Sequence, residues 1–348
     1  MLANRLKKRF RHLNKWAKRI GTEVFRLYDR DIPEIPLVLD WYGDSLAGAL
    51  YKRPYTKDEG EERRWIHAMT EAAAEALGIP ESRVFIKVRE HQRGAAQYRR
   101  LGDRGAVREV GEGGLRFRVN LSDYLDTGLF PDRRRLRALI RDEAAGKRVL
   151  NLFCYTSSFS VYAAAGGAAE IDSVDLSNTY LAWGLENFRL NGFTGEIVSG
   201  EKITGRQGVP GPEKHRPLPK GPGERPAPLP SFRFIRADVL SFLSGAARAR
   251  MVWDRIILDP PAFSNSKKMA ASLDLRRDYA GLVRGSLRLL CPGGKLWFSA
   301  NARHFRLDPE EFRTAEFPGL RIEDIRARLT DEDFREKQIP ACYFFQTG

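Results

Sequence analysis

The residue types best suited to chemistry in this chain are Asp259-Pro260-Pro261-Ala262-Phe263, directly after the apolar run Ile256-Ile257-Leu258. Each proline fixes its own φ at about −65° and pushes the residue before it out of the helical region. The run therefore reads as a buried strand that stops at a rigid polar rim, with carbonyls held in place and Phe263 as a flat apolar face. Such a rim can grip a planar nitrogenous ring, its edge toward the carbonyls and its face on the aromatic. A tight turn after a core strand explains the same five residues. Two further acids, Asp175 and Asp238, also close strand-like runs, and the weight of the reading rests on all three together.

These acids need a scaffold. From residue 148 strand and helix patterns alternate, which is the mark of a parallel sheet covered on both faces. The strands read as Arg148–Phe153, Glu170–Asp175, Phe232–Ala237, Trp253–Leu258, Lys295–Ser299, Leu320–Ile325 and Ala341–Gln346, with helices at Phe159–Ala165, Asn178–Asn191 and Leu273–Leu290. In such sheets ligands bind beyond the carboxyl ends of the strands, near the switch in strand order. Asp175, Asp238 and Asp259 stand at the ends of the second, third and fourth strands. The segment 201–230 breaks the alternation with eight prolines and five glycines, and is expected to be an exposed, largely disordered insertion.

The turn after the first strand decides between ligands. Dinucleotide binders use glycines there, so that pyrophosphate can approach a helix N-terminus. This turn reads Asn151-Leu152-Phe153-Cys154-Tyr155-Thr156-Ser157-Ser158 and holds no glycine. A ligand without phosphates, built from an adenosine and an amino-acid tail, fits better, and S-adenosylmethionine is that ligand. Asp175 would accept from the ribose hydroxyls, Asp238 would lie beside the adenine, and Asp259 near the reacting centre. The expected chemistry is methyl transfer.

Composition narrows the partners. The 348 residues carry a net charge of +14, with 42% hydrophobic and 30% charged residues, a balance that favours a polyanionic partner. Leu2 to Arg19 holds eight Lys or Arg and no acid, with Leu2, Leu6, Phe10, Leu13, Trp16 and Ile20 at helical spacing. That is an amphipathic helix whose cationic face can hold phosphates, lie on a membrane surface or simply be solvated. Strand-like runs at Pro36–Asp40, Val84–Val88 and Leu115–Val119, with a helix pattern over Glu62–Leu77, suggest a small α+β domain. Its Lys87–Arg93 and Tyr98-Arg99-Arg100 stretches are compatible with an RNA surface, though charged hairpins look similar. The expected division is 1–118 as a basic helix plus RNA-binding α+β domain and 119–348 as the catalytic domain. Three widely spaced cysteines and five histidines show no disulfide or metal-ligand spacing, and no apolar run approaches a membrane span. The expectation is a cytoplasmic protein with no metal and no membrane partner.

Several stretches also resemble a known family. Asn151–Ser160, Val174-Asp175-Leu176-Ser177, Glu186–Gly192 and Asp259-Pro260-Pro261-Ala262-Phe263-Ser264-Asn265-Ser266-Lys267 look like a class I, Rossmann-like methyltransferase. With Ala3–Lys8, Tyr28–Glu34 and Asp123–Phe130 they are similar to RlmK, the C-terminal half of the bifunctional RlmKL 23S rRNA methyltransferases. The resemblance covers nearly the whole chain except 201–230. It implies a doubly wound, seven-stranded, mostly parallel sheet and methylation of a guanine at N7 in 23S rRNA or a large-subunit precursor, with S-adenosylmethionine as cofactor. It further implies that Phe130, Asp132 and Arg133 join Asn151, Phe153, Tyr155, Thr156, Ser157, Asp175, Leu176, Asp238 and Asp259 around the cofactor. Phe263 would stack on a flipped guanine oriented by Pro260 and Asp259, while Asn265, Lys267 and Lys268 contact the base edge or phosphates. This chain departs from the family at Ser157, where glycine is usual. The family's other half is absent, so the expectation is a stand-alone half with a separate guanine-N2 methyltransferase as partner.

Physics bears on the atom methylated. A C5-pyrimidine enzyme needs a cysteine nucleophile, which relatives of that kind carry after the fifth strand, where this chain reads Phe298-Ser299-Ala300-Asn301. An exocyclic amino target would use the Asp-Pro-Pro carbonyls to accept N–H bonds. Guanine N7 has an in-plane lone pair and loses no proton, so orientation in a dry site suffices. The choice of N7 over N2 rests on the resemblance. The competing class is a non-catalytic rRNA-binding or ribosome-assembly protein that keeps the methyltransferase shell.

Overall fold

The protein is seen in a computed structural model that describes all residues except 52–57, 90–101, 103–104, 205–230, 265–271, 303–304 and 336–338. Two compact units emerge, Met1–Arg135 with Thr330–Ile339, and Leu136–Leu329 with Pro340–Gly348.

In the first unit the expected amphipathic helix is α1 (Leu2–Ile20), which buries Leu2, Leu6, Leu13, Trp16 and Ala17. Phe10 sets its ring edge against Trp41 at 4.8 Å. Lys7, Lys8, Arg11, Lys15, Lys18 and Arg19 are exposed. Gly21 ends the helix at φ 69°, in the left-handed region that a side chain would resist, and its N–H reaches the last carbonyls. Strands β1 (Val24–Asp29), β2 (Leu37–Tyr42), β3 (Ser45–Tyr51) and, after helix α2 (Glu59–Leu77), β4 (Val84–Arg89) form a sheet in the order β1-β2-β3-β4. The β3–β4 pair is parallel, so a crossover is required, and α2 lies within it. Strands β5 (Val107–Glu112) and β6 (Leu115–Asn120) make a hairpin whose Gly113 and Gly114 both have positive φ.

The unit runs on to Arg135 rather than ending at 118. Tyr42 donates to Leu129 O (2.9 Å), and its hydroxyl is hydrogen-bonded to that of Thr127 (2.7 Å). The Asn120 amide donates to Asp123 Oδ2 at 3.0 Å, and the Gly105 N–H to the same carboxylate. Arg134 is buried, bonds Asp331, Asp333 and Val24 O, and lies over the Trp16 ring at 5.1 Å. These bonds draw 119–135 and the Asp331–Asp333 stretch onto the β1–β6 body.

The second unit begins within helix α3 (Arg134–Asp142) and continues β7 (Arg148–Leu152), α4 (Ser158–Ala165), β8 (Glu170–Asp175), α5 (Asn178–Leu190) and β9 (Glu196–Ser199). It goes on with α6 (Gly200–Thr204), β10 (Ser231–Arg236), α7 (Val239–Arg248), β11 (Trp253–Leu258), β12 (Phe263–Ser264) and β13 (Leu273–Asp274). Helix α8 (Leu275–Leu287), β14 (Leu290–Ala300), β15 (Arg321–Asp324), α9 (Arg326–Leu329) and β16 (Ala341–Gln346) complete it. The sheet order is β15-β16-β14-β11-β7-β8-β10-β9, parallel except around β16, which runs antiparallel to β14 and β15. This is the expected doubly wound, mostly parallel sheet.

It has eight strands rather than seven, because Glu196–Ser199 pairs in parallel beside β10 as an added edge. The insertion also starts later than residue 201. Ile203 belongs to the buried apolar cluster, which holds Gly200–Thr204 as a helical turn, and 205–230 lies outside the described residues. Both faces of the sheet are covered, as a parallel sheet requires. Leu150, Leu152, Val174, Ile256, Leu258, Leu296 and Phe298 meet the apolar sides of α7 and α8. On α5, Phe188 packs edge-on against Phe232 and Phe234 of β10, at 5.5 and 4.9 Å.

Candidate active site

The chain lays β8 and β10 outward from β7, then returns to put β11 on the other side, so the strand order reverses between β7 and β11. A ligand-binding crevice is expected there, beyond the strands' carboxyl ends. In the turn after β7, Phe153, Tyr155 and Ser157 have φ of 57°, 51° and 60°. Each left-handed L-residue costs about 1–2 kcal/mol, so a run of three must be held by its surroundings. Several bonds hold it: Cys154 N donates to Val174 O (3.0 Å), Ser157 N to Cys154 O (2.7 Å) and the Asn187 amide to Thr156 O (2.9 Å). The Tyr155 ring sits edge-on to Tyr180 at 4.5 Å. A left-handed residue at every second position makes the kind of backbone concavity that receives an anionic group.

Ser157, the departure from the family's glycine, is buried in the conformation glycine would adopt freely. Space for its side chain comes from Gly184 of α5, where a Cβ would lie 2.5 Å from Ser157 Oγ.

Asp175 closes β8. Its Oδ2 accepts from Tyr155 N (3.0 Å) and its Oδ1 from Ser177 N (2.9 Å), which ties the acid to the turn. Burial pushes this carboxyl up to about 6, against the pull of backbone N–H bonds from Ser177, Tyr155 and Leu176. Asp175 O in turn accepts from Ala237 N (3.1 Å), so the ends of β8 and β10 are joined. Asp238 caps α7 by accepting from Ser241 N at 2.9 Å, and remains partly exposed. Asp259, just past β11, is also partly exposed, while Pro260 is buried. Phe263 is 37% exposed on β12, whose partner is β13. Asn265, Lys267 and Lys268 lie outside the described residues.

The structure thus brings Phe153, Tyr155, Thr156, Ser157, Asp175, Leu176, Asp238, Asp259 and Pro260 to the carboxyl ends of β7, β8, β10 and β11, with Phe263 three residues beyond Pro260 on the separate β12–β13 pair. Asn151 is fully buried within β7 and donates to Ser160 Oγ (2.8 Å), which is itself 2.8 Å from Ser173 Oγ. Its Oδ1 is buried without a hydrogen-bond partner. Phe130, Asp132 and Arg133 belong to the first unit, where Phe130 is 38% exposed and Arg133 pairs with Asp132 at 3.2 Å. Sequence reading assigned no role to Asn187, Tyr180 and Gly184, which brace the turn. Asn187 lies in the Glu186–Gly192 stretch that carries the resemblance, whereas Tyr180 and Gly184 are marked only by position on the helix after β8.

No thiol is poised for covalent chemistry. Cys154 is buried and its thiol is raised well above the ordinary value, first by desolvation and then by Asp175. Cys291 stands at the start of β14, the end opposite the site, where burial and Asp254 (3.3 Å) push it up to about 11. Cys342 is buried. Among the described residues no cluster of three His, Cys, Asp or Glu could hold a metal, and no helix is long and apolar enough to cross a membrane.

The donor set fits S-adenosylmethionine. The turn's concavity suits the amino-acid tail, the Asp175 carboxylate suits the ribose hydroxyls, and the glycine-free backbone gives no approach for a pyrophosphate. Sheet order, acid placement and turn together define a class I methyltransferase. The model of a family described as S-adenosylmethionine-dependent methyltransferase matches residues 24–203. Ribosomal RNA large subunit methyltransferase K of Neisseria meningitidis is 41% identical over 98% of this chain and 85% of its own length. Ribosomal RNA large subunit methyltransferase K/L of Magnetococcus marinus is 40% identical over 99% of this chain. The chain spans 42% of that longer relative. Among solved structures, SMU.776, a methyltransferase complexed with SAH, superposes with a TM-score of 0.68 at 22% identity, over 99% of this chain and 81% of its own. The complex of aTrm5 with tRNALeu gives a TM-score of 0.52 at 16% identity, over 98% and 79%. At those identities the two structures speak for the fold alone. The chain belongs to the S-adenosylmethionine-dependent methyltransferases and, within them, to the family of ribosomal RNA large subunit methyltransferase K. Its cofactor is S-adenosylmethionine.

Proposed function

We propose that this chain methylates N7 of a guanine in 23S rRNA, in the cytoplasm, on a base flipped out of its stack. The observation that carries this reading is Phe263, an exposed aromatic three residues beyond Pro260, on the β12–β13 pair that follows the carboxyl end of β11. The names of the similar proteins support a large-subunit rRNA substrate. The family resemblance of the Asp259–Lys267 stretch supports N7.

When bound, the cofactor supplies an electrophilic methyl on a sulfonium centre and leaves as S-adenosylhomocysteine. The residues' work is positioning. Asp175 would accept from the ribose hydroxyls, Asp238 would contact the adenine edge, and the left-handed turn would hold the amino-acid carboxylate. Phe263 would stack on the guanine face, with Asp259 and Pro260 at the base edge. Guanine N7 would accept the methyl through its in-plane lone pair and so take over the positive charge. No proton leaves, so no general base is required, and in-line orientation in a site closed to water supplies the rate. A carbon-5 target would need a thiolate at the site, and the raised pKa values of Cys154 and Cys291, which keep both thiols protonated, speak against one. Asn265, Lys267 and Lys268 are proposed to hold the substrate.

The test is transfer of labelled methyl from S-adenosylmethionine to 23S rRNA, followed by borohydride and aniline. N7-methylguanosine is cationic in its imidazole ring, so the strand is cut there and the nucleotide mapped. Label with a single cut supports N7. Label without a cut overturns N7 in favour of an exocyclic or carbon target. No label, together with no binding of S-adenosylhomocysteine, supports the non-catalytic reading instead.

A further inference from the structure

One rim of the four-stranded sheet in the first unit gathers an aromatic ring and two guanidinium groups. Arg30 follows the end of β1, and its N–H donates to Leu37 O at the start of β2 (2.9 Å). Tyr51 ends β3 and is the register partner of Arg89, which ends β4. Arg30 Cζ lies 5.6 Å and Arg89 Cζ 6.0 Å from the centre of the Tyr51 ring. Both lie over the ring at the outer end of the about 6 Å reach of a cation–π contact, so they flank it by charge rather than by close stacking. The ring is 40% exposed, one of few large apolar side chains so placed among the described residues.

Both guanidiniums are braced from behind. Arg89 donates to Asp126 Oδ1 (2.5 Å) and Leu125 O (3.3 Å), and Arg30 to Asp29 Oδ1 (2.7 Å). These carboxylates hold the two side chains in place and partly balance their charge. The ring, rather than bare charge, is therefore what this rim offers. Such an edge fits a nucleotide, whose base can stack on an aromatic face while its phosphate meets a guanidinium edge. An acidic peptide would use the guanidiniums and leave the ring idle.

The geometry points to a stacking site for single-stranded RNA at Tyr51, flanked by Arg30 and Arg89. The identity of its natural ligand rests on the rRNA-substrate reading above. The site is separate in sequence from every residue assigned to the cofactor or the target base.

The test uses the full chain and a fluorescein-labelled single-stranded RNA oligonucleotide, read by anisotropy across a salt series. Tyr51→Ala is expected to weaken binding about tenfold or more, the scale of one lost base–aromatic stack, with the slope against salt unchanged. Tyr51→Phe should bind like the wild type. Affinity for S-adenosylhomocysteine and the melting temperature report that Tyr51→Ala is folded. Unchanged RNA affinity in Tyr51→Ala would overturn the site. So would an equal loss toward polyphosphate or polyglutamate, which carry charge without bases. The two readings fail separately. Tyr51-dependent RNA binding without methyl transfer to rRNA would sink only the proposed function, whereas methyl transfer with an unchanged KM in Tyr51→Ala would sink only this site.

Discussion

The two ends of β8 use the same side chain for opposite purposes. Toward its start, Asp172 is fully buried and takes both arms of Arg233, at 2.6 and 2.9 Å, with the Trp253 indole N–H at 3.0 Å. Glu170 pairs with Arg148, and on the same side Glu143 pairs with Arg255 and Lys295. At the far end, Asp175 is held by backbone N–H groups instead of a cation, and its carboxyl is pushed up to about 6. An acid whose charge is matched by an arginine has no further business. An acid fixed by amides and left partly accessible retains lone pairs for a ligand. The starts of these strands pair their acids with cations, and their ends leave acids to backbone N–H groups, as the proposed cofactor site requires.

Breaking the structural end should give the largest effect. Asp172→Asn leaves Arg233 without its counter-charge and is expected to cost about 3–5 kcal/mol of stability by urea unfolding. Cofactor affinity of the folded fraction should stay near that of the wild type. Asp175→Asn should do the reverse, weakening S-adenosylhomocysteine by about thirtyfold or more in calorimetry, since hydrogen bonds to a charged acceptor are worth about 1.5–3 kcal/mol each. Its melting temperature should fall less than that of Asp172→Asn, since only one backbone N–H of the turn loses its acceptor. If Asp175→Asn unfolds the protein and leaves the cofactor bound, the contrast between the two ends is wrong.

Phe263→Ala extends the contrast to the end of β11. Loss of one base stack should lower kcat/KM on rRNA about tenfold or more, with cofactor affinity intact. Equal losses in both would place Phe263 in the cofactor site instead. A smaller effect tests the brace of the turn. Gly184→Ala drives a Cβ into Ser157 and should cost about 1–3 kcal/mol, and Ser157→Gly in the same chain should recover part of it.

The finest test is pH. Asp175 has a folded-state value raised from 3.8 to about 6, so folding favours its protonated form. Its contribution to stability is therefore fully present below 3.8 and is lost as pH rises through about 6. Cofactor binding needs the ionised form and should run the other way, with affinity falling as pH drops below about 6. The Asp175→Asn variant should show neither slope, and a persistent slope would assign the titration elsewhere.

Much of this was legible in the chain. Glu170–Asp175, Trp253–Leu258 and Ala341–Gln346 are legible with their observed bounds, because each is a short strand-length run closed by a polar turn. The three strand-end acids were legible for the same reason. Edge strand Glu196–Ser199 was not, since its residues are mostly exposed and carry no apolar run. Nor was the extent of the first unit, which depends on Arg134 reaching Asp331 and Asp333 nearly two hundred positions away.

By itself, then, the sequence determined the alternation of strands and helices, the polar stops at the strand ends and the absence of glycine from the first turn. All are local facts of residue type and period. Only the tertiary structure decided that Phe153, Tyr155 and Ser157 take left-handed conformations and that Gly184 makes room for one of them. It alone decided which of two aspartates on one strand meets an arginine. Those outcomes depend on what packs against each residue, and strain or charge at one position is tolerated only where a distant neighbour answers it.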